Sequence, residues 1–396
     1  MKTVAGNIKK FYLYRFLIGG HFIIAVMIPF YTEWGHLNIG QIMTLQTIFL
    51  LSSLFFEIPT GVIADKYTRK LSMIIGAVIS VLGVLVYVAY PSFWIFALGE
   101  IIWGLGMAFY SGADEAFLYD SLKQLKREKE SKKIIGRAQN YYLFGLLVAA
   151  PIGSLIYFFS HHLQYPIFFM SIPFGLAAIV CMAMVEPKRF SEESEAAKYI
   201  TILTEGTKHL INHKVLRILV WDGILVGTML YFIIFFDQAI FMKLNIDIKY
   251  FGLLKSLVIG TEIIVITQFN RLEKIFHSKK GFLMFTGIFS GIMFLAIGYS
   301  TLVPLVILAV TCAAGFGLSR ETLYTNYYNK FIPSDKRATI LSSISMIRCL
   351  SIAIINPLVG LLADWSLSYT FLTLGSLILV FSLISSFRIK EKMLID

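Results

Sequence analysis

The chain has 396 residues, of which 57% are apolar and only 15% charged, and its mean hydropathy is +0.74. Soluble domains carry about 25% charged residues, so a water-soluble enzyme or regulatory domain is excluded. The formal net charge of +11 lies in short loops rather than on a folded basic face, which excludes a nucleic-acid-binding surface.

A membrane-spanning helix needs roughly 20 mostly apolar residues. Such segments are predicted at 11–31, 42–64, 73–91, 93–122, 140–160, 166–185, 218–242, 250–269, 281–299, 303–331, 338–363 and 369–387. They are read as helices, because only helices and closed barrels satisfy their own backbone in lipid and the alternating pattern of barrel strands is absent.

Lys9 and Lys10 lead into the first span without a small-residue cleavage site, so it is read as a retained helix rather than a removed signal. His21 lies near its middle. The second span carries Glu57 just before Pro59 and runs into the loop GVIADKYTRK, residues 61–70. There Gly61 lets helix backbones approach closely. Asp65 can pair with Arg69 or face the positive end of a helix, flanked by Lys66 and Lys70, which makes a breakable latch. The fourth span holds Glu100, Gly104 and Gly106, then Asp114, Glu115 and Asp120 toward its inner end.

After the sixth span the apolar pattern stops from Glu186 to Arg217. Pro187 and the acidic run 191–195 read as a solvated linker. Tyr199, Ile202, Leu203, Leu210 and Ile211 then recur at near-helical spacing, as in an amphipathic helix lying on the membrane. Six further spans follow, with Asp222 in the seventh, Glu262 in the eighth, Arg320 and Glu321 in the tenth and Arg348 in the eleventh. The expected organisation is therefore a six-helix bundle over 1–189, a linker over 190–217 and a second six-helix bundle over 218–396.

Faint internal repetition supports two related halves. Arg137-Ala138 and Arg337-Ala338 precede the fifth span of each half, and Gly104-x-Gly106 with Glu115 and Tyr119 is echoed by Gly315-x-Gly317 with Glu321 and Tyr324. All lysines and arginines except Arg15, Lys243, Lys249, Lys255, Arg320 and Arg348 fall at the termini or in loops on their side. That asymmetry predicts cytoplasmic termini.

Charges inside a bilayer cost roughly 3 kcal/mol or more, so they face a cavity or a partner. His21, Glu57, Glu262 and Arg348 are placed deepest, Glu100 toward the outer side, and Asp114, Glu115, Asp222, Arg320 and Glu321 toward the inner side. Two sets of pairings suit proton handling: Glu57 or Glu262 with Arg348, and Asp114 or Glu115 with Arg320. Arg15 is read as snorkelling to the interface. Cys181, Cys312 and Cys349 have neither disulfide nor metal spacing.

The 61–70 loop resembles the signature loop of the major facilitator superfamily. Gly61, Asp65, Lys66, Arg69 and Lys70 match it, and Thr68 stands where a glycine is usual. GEIIWGLGMA, residues 99–108, looks like the family's fourth-helix motif with Glu100 in the place of an arginine that many proton-coupled members link to coupling. Residues 111–122 and 329–343 are similar to segments of a bacterial and archaeal branch that includes drug transporters. Gly145, Pro151 and Gly153 do not keep the spacing of the drug antiporters' fifth-helix motif.

The resemblance implies an all-α polytopic membrane protein of twelve helices in two pseudo-symmetric bundles. It implies that Asp120 joins the Asp65–Arg69 latch. It also implies that the first, fourth, seventh and tenth helices line a central cavity, which favours His21, Asp114, Glu115, Asp222, Arg320 and Glu321. The expected function is alternating-access secondary transport, proton-coupled, exporting small amphipathic or drug-like solutes. Import of a nutrient, or sensing without transport, stand as alternatives. The expected partners are a small-molecule substrate, a coupling proton and the lipid bilayer, with no nucleic acid. No phosphate-binding GxxxxGK[ST] loop, metal cluster or nucleophile elbow occurs, so neither an enzyme nor a cofactor is expected. The chain is expected as a monomer in the cytoplasmic membrane of a prokaryote.

Overall fold

The computed structural model describes residues 4–188, 206–333 and 337–395. Among them, eleven helices are long and apolar enough to cross a membrane, or twelve when the bent first pair counts as one span. In chain order these are α1 (Val4–Ala25 with Met27–Trp34), α2 (Ile39–Ala64), α3 (Arg69–Tyr87), α4 (Phe93–Gln124), α5 (Glu128–Ser160) and α6 (Gln164–Ala183). They continue as α7 (Lys214–Lys243), α8 (Ile248–Thr267), α9 (Lys279–Tyr299), α10 (Val303–Tyr328), α11 (Thr339–Trp365) and α12 (Leu367–Arg388). Polar caps start several of them: Asn38 forms a reciprocal box with Gln41, and Thr68, Ser278 and Ser366 each accept an amide of their helix's first turn.

The all-helical, twelve-span expectation holds, and several spans differ from it in being broken, among them α1, α4 and α10. The regular first helix ends at Ile18, and the chain passes through Gly19, Gly20 and His21 into a short 3-10 turn before a 60° bend. The physical reason is a backbone-on-backbone crossing. A methyl group on Gly145 of α5 would strike the Phe16 carbonyl oxygen, and one on Gly19 would strike the Tyr142 carbonyl oxygen. Such irregular backbone is tolerated at membrane depth because protein, not lipid, surrounds it. In α4 the break falls at Gly112, whose φ of +72° favours glycine although nothing would crowd a side chain there. In α10 it falls at Ser319. After a 3-10 turn at Glu128–Glu130, the regular part of α5 begins at Ser131 rather than near 140, carrying Lys132, Lys133 and Arg137 out on its first turns.

The acidic run 191–195 and Tyr199, Ile202 and Leu203 of the expected surface helix lie outside the described residues. The helix Thr207–Asn212 continues that stretch, with Leu210 buried and Ile211 exposed.

The chain forms two compact units, Met1–Tyr199 with Asp247–Ser256, and Ile200–Ile246 with Leu257–Asp396. The first turns of α8 belong to the first unit through small residues. The Gly252 amide donates to Ser154 (2.8 Å) and the Ser256 hydroxyl to the Leu147 carbonyl (2.9 Å). The first unit buries Phe11, Tyr14, Phe30, Phe96, Phe117 and Phe174; the second buries Phe232, Phe236 and Phe282.

Candidate functional site

In the first unit, Glu100 sits on α4 with only 4% of its surface exposed. Its carboxylate accepts the Tyr31 hydroxyl from α1 (3.1 Å) and the Gln46 amide from α2 (3.1 Å), and the Tyr87 hydroxyl from α3 is a third donor. Four helices thus converge on one carboxyl group, and every donor is neutral. Phe96 stacks edge-on to Tyr31 at 5.4 Å, and Trp103 lies 5.7 Å from Tyr87, so the cage has apolar walls. Such a carboxyl meets two opposing influences: hydrogen-bond donors favour its charged form and burial disfavours it.

His21 stands at the break of α1 with its ring 5.6 Å from Trp103, 5.3 Å from Phe174 and 6.4 Å from Tyr142. The break turns what would be a buried helix position into the start of a turn, and so aims the imidazole at three aromatic rings from α4, α5 and α6.

Deeper toward the basic end, the structure replaces the expected pairings. Asp114 has its partner in its own unit: Arg15 binds it at 2.8 Å, donates to Gln139 at 2.7 Å and lies over the Tyr142 ring. Arg15 thus has an ion-pair partner within its own unit. Glu115, the next residue, is exposed. In the second unit, Arg320 pairs with Asp222 at 3.3 Å, both side chains 3% exposed. Arg320 also donates to Thr286, Tyr324 and the Leu283 carbonyl, while the Ser385 hydroxyl donates to Asp222. Arg348 pairs with Glu321 rather than with Glu57 or Glu262. Those last two are half-buried. The pairs in the two units are related with inverted sign: a cation on α1 meets an anion on α4, whereas an anion on α7 meets a cation on α10.

At the loop after α2, Arg69 is buried and ion-paired with Asp120, and it donates to the Ala116 carbonyl (2.7 Å). The Asp65 side chain lies outside the described residues. Gly61 is buried, Lys66 is exposed over the Tyr67 ring, and Lys70 donates to the Met182 and Met184 carbonyls.

The carboxylate that completes this corner is not among the candidates drawn from the sequence. Glu186, just past α6, accepts the backbone amides of Arg69 (3.0 Å) and Lys70 (2.9 Å). The second unit repeats the device. Glu391, just past α12, accepts the amides of Lys279 and Lys280 (2.9 Å each) and the Ser278 hydroxyl. Each helix start otherwise leaves donors unpaired and carries partial positive charge. The legible signal was Thr68-Arg69-Lys70 and Ser278-Lys279-Lys280, each matched by a glutamate shortly after the last span of its half. Also passed over were Tyr31, Gln46 and Tyr87, and Asp237 on α7, which is 1% exposed.

Burial opposes the charge on Glu391, but the Ser278 hydroxyl and the two lysine amides outweigh it and hold the carboxyl below its ordinary value. Its stabilisation is then complete above the unfolded value of about 4.3 and lost as pH falls through the lower folded value. Glu391→Gln is expected to lower the melting temperature at pH 7, with the gap to wild type closing as the pH is taken below about 4. A gap unchanged down to pH 3 would show that the carboxylate charge is not what holds the helix start.

Eleven or twelve spans, some of them broken, with ion pairs between their helices define a polytopic helical membrane protein. The pattern of the Major Facilitator Superfamily matches residues 13–356, and the chain belongs to that family. It is thus a multi-pass secondary transporter and not an enzyme; members of the family bind small-molecule substrates, often with a coupling ion. The MFS-type transporter YxaM of Bacillus subtilis is 25% identical over 350 residues, covering 86% of this chain and 85% of that one. The vesicular acetylcholine transporter of Drosophila melanogaster is 28% identical over 123 residues, 31% of this chain and 19% of that one. Among solved structures, the nucleoside transporter NupG shares the fold with a TM-score of 0.77 at 13% identity, over 98% of this chain and all of that one.

Proposed function

We propose that the protein is a proton-coupled exporter of small amphipathic solutes, in which Glu100 takes up and releases the coupling proton. One observation carries this reading: Glu100 is buried among four helices with three neutral donors and, among the described residues, no cation paired with it. Asp114, Asp222 and Glu321 each have an arginine, and a neighbouring guanidinium favours the charged form. Glu100 lacks that restraint, so its proton occupancy follows whichever side supplies water.

The aromatic rings around His21 and the Glu100 cage suit a flat, partly apolar solute. The partial likeness to a vesicular acetylcholine transporter supports a small organic solute. The basic loops support an orientation with both termini on the cytoplasmic side of the cell membrane. The protein works by alternating access, opening one binding site first to one side and then to the other. The test is flux in proteoliposomes with the pH gradient imposed in either direction, across a panel of fluorescent amphipathic compounds. Saturable movement against the inward proton gradient is expected. Flux indifferent to both gradients would overturn the coupling, and substrate moving with the protons would overturn export.

A further inference from the structure

In the second unit, the start of α7 and the end of α12 enclose a cleft of about 370 Å³ that the transport reading does not use. Arg217 and Arg388 lie in it, both exposed. Arg217 donates to the Ile211 carbonyl (2.6 Å), which steadies its guanidinium. Arg388 has no ion pair or side-chain hydrogen bond among the described residues. The cleft is otherwise lined chiefly by apolar side chains, among them Trp221, Leu225 and Ile384, and Trp221 is 53% exposed. The carboxylate in the lining, Asp222, is already held by Arg320 and the Ser385 hydroxyl, so it does not neutralise the two arginines.

A free anion would find the charge here but waste the apolar wall. A purely apolar solute would fill the wall and leave two guanidiniums facing it. An amphipath with a negative head and a hydrocarbon tail satisfies both. The cleft lies at the ends of α7 and α12, beside loops in which basic residues concentrate, and exposed tryptophan favours the level where headgroups meet acyl chains. We infer that this cleft binds an anionic phospholipid, with Arg217 and Arg388 on the headgroup phosphate and Trp221 and Leu225 against an acyl chain. The inference rests on the proposed orientation only for which leaflet supplies the lipid. Basic pockets between spanning helices are suited to such headgroups.

The test is native mass spectrometry of the full-length protein in detergent, titrated with dioleoyl-phosphatidylglycerol and, separately, dioleoyl-phosphatidylcholine, with inorganic phosphate as competitor. No transport is measured, so a failed flux assay leaves the outcome untouched. Phosphatidylglycerol is expected to bind in preference to phosphatidylcholine and to resist displacement by phosphate. R217A/R388A is expected to weaken it roughly 25-fold, as two contacts each worth about fivefold. K129A/K132A, which removes two exposed lysines of the first unit, is expected to leave binding unchanged. Should the alanine pair fail to fold, R217Q/R388Q must show the same loss. Equal binding of the two lipids, displacement by phosphate, undiminished binding in the arginine variants, or an equal loss in K129A/K132A would each overturn the assignment.

Discussion

Glu100→Gln is expected to sharply reduce solute accumulation driven by a pH gradient while sparing exchange of substrate across the membrane. Glutamine keeps the length of the side chain and can still meet Tyr31, Gln46 and Tyr87, so the four-helix junction stays hydrogen-bonded. What it loses is the exchangeable proton. A coupling free energy between two ligands is typically about 1–3 kcal/mol, so the ratio of driven to undriven flux should fall by about 5- to 150-fold. Substrate counterflow, which needs the conformational cycle and not the proton, should remain near wild type. Both fluxes measured on one proteoliposome preparation check this. Gradient-driven accumulation that survives in Glu100→Gln removes this residue as the proton carrier, whereas loss of counterflow as well would mark it as part of substrate binding or of folding.

Asp222→Ala is expected to destabilise the protein by about 3–5 kcal/mol, because it leaves the Arg320 charge buried without its counter-ion. Arg320 would keep Thr286, Tyr324 and the Leu283 carbonyl, which are neutral acceptors and only part of the compensation. Glu321→Ala, by contrast, breaks the pair with Arg348 where the glutamate side chain is 60% exposed, and such pairs are worth at most about 1 kcal/mol. Denaturant unfolding in one detergent compares the two, and equal losses would show that burial does not set the value of these pairs. The inverted arrangement in the first unit suggests a sharper version. The doubly substituted D222R/R320D would put the cation on the first helix of the unit and the anion on the fourth, as Arg15 and Asp114 already are. It is expected to recover more than half of what Asp222→Ala loses. No recovery would mean that the hydrogen bonds fixed around Arg320, rather than opposite charge, hold the site.

The location of charges along the helices was legible, but their partners were not. Depth alone pairs Arg348 with Glu57 or Glu262, and it meets Glu321. The sequence pairs Asp114 or Glu115 with Arg320, whereas Asp114 and Arg320 each have a partner in their own unit. Depth follows from counting residues at about 1.5 Å each, whereas partnership depends on the rotation of each helix about its axis. In a soluble protein an apolar stripe reveals that rotation. Lipid is as apolar as a protein interior, so a spanning helix is apolar on both faces and hides it. The same blindness concealed Tyr31, Gln46 and Tyr87 as the cage of Glu100, since single polar residues on three separate helices form no local pattern.

Composition and the run lengths between charged loops were sufficient for membrane residence and for the twelve spans, whereas the meeting of Asp120 with Arg69 was implied only by the resemblance of the 61–70 loop. The first two follow from the cost of placing charge or open backbone in hydrocarbon, which every stretch of chain meets on its own. The breaks at His21 and Gly112, the inverted ion pairs and the neutral cage around Glu100 emerged only on folding. Each depends on backbones and side chains from different helices arriving at one point, and only three-dimensional packing brings them there.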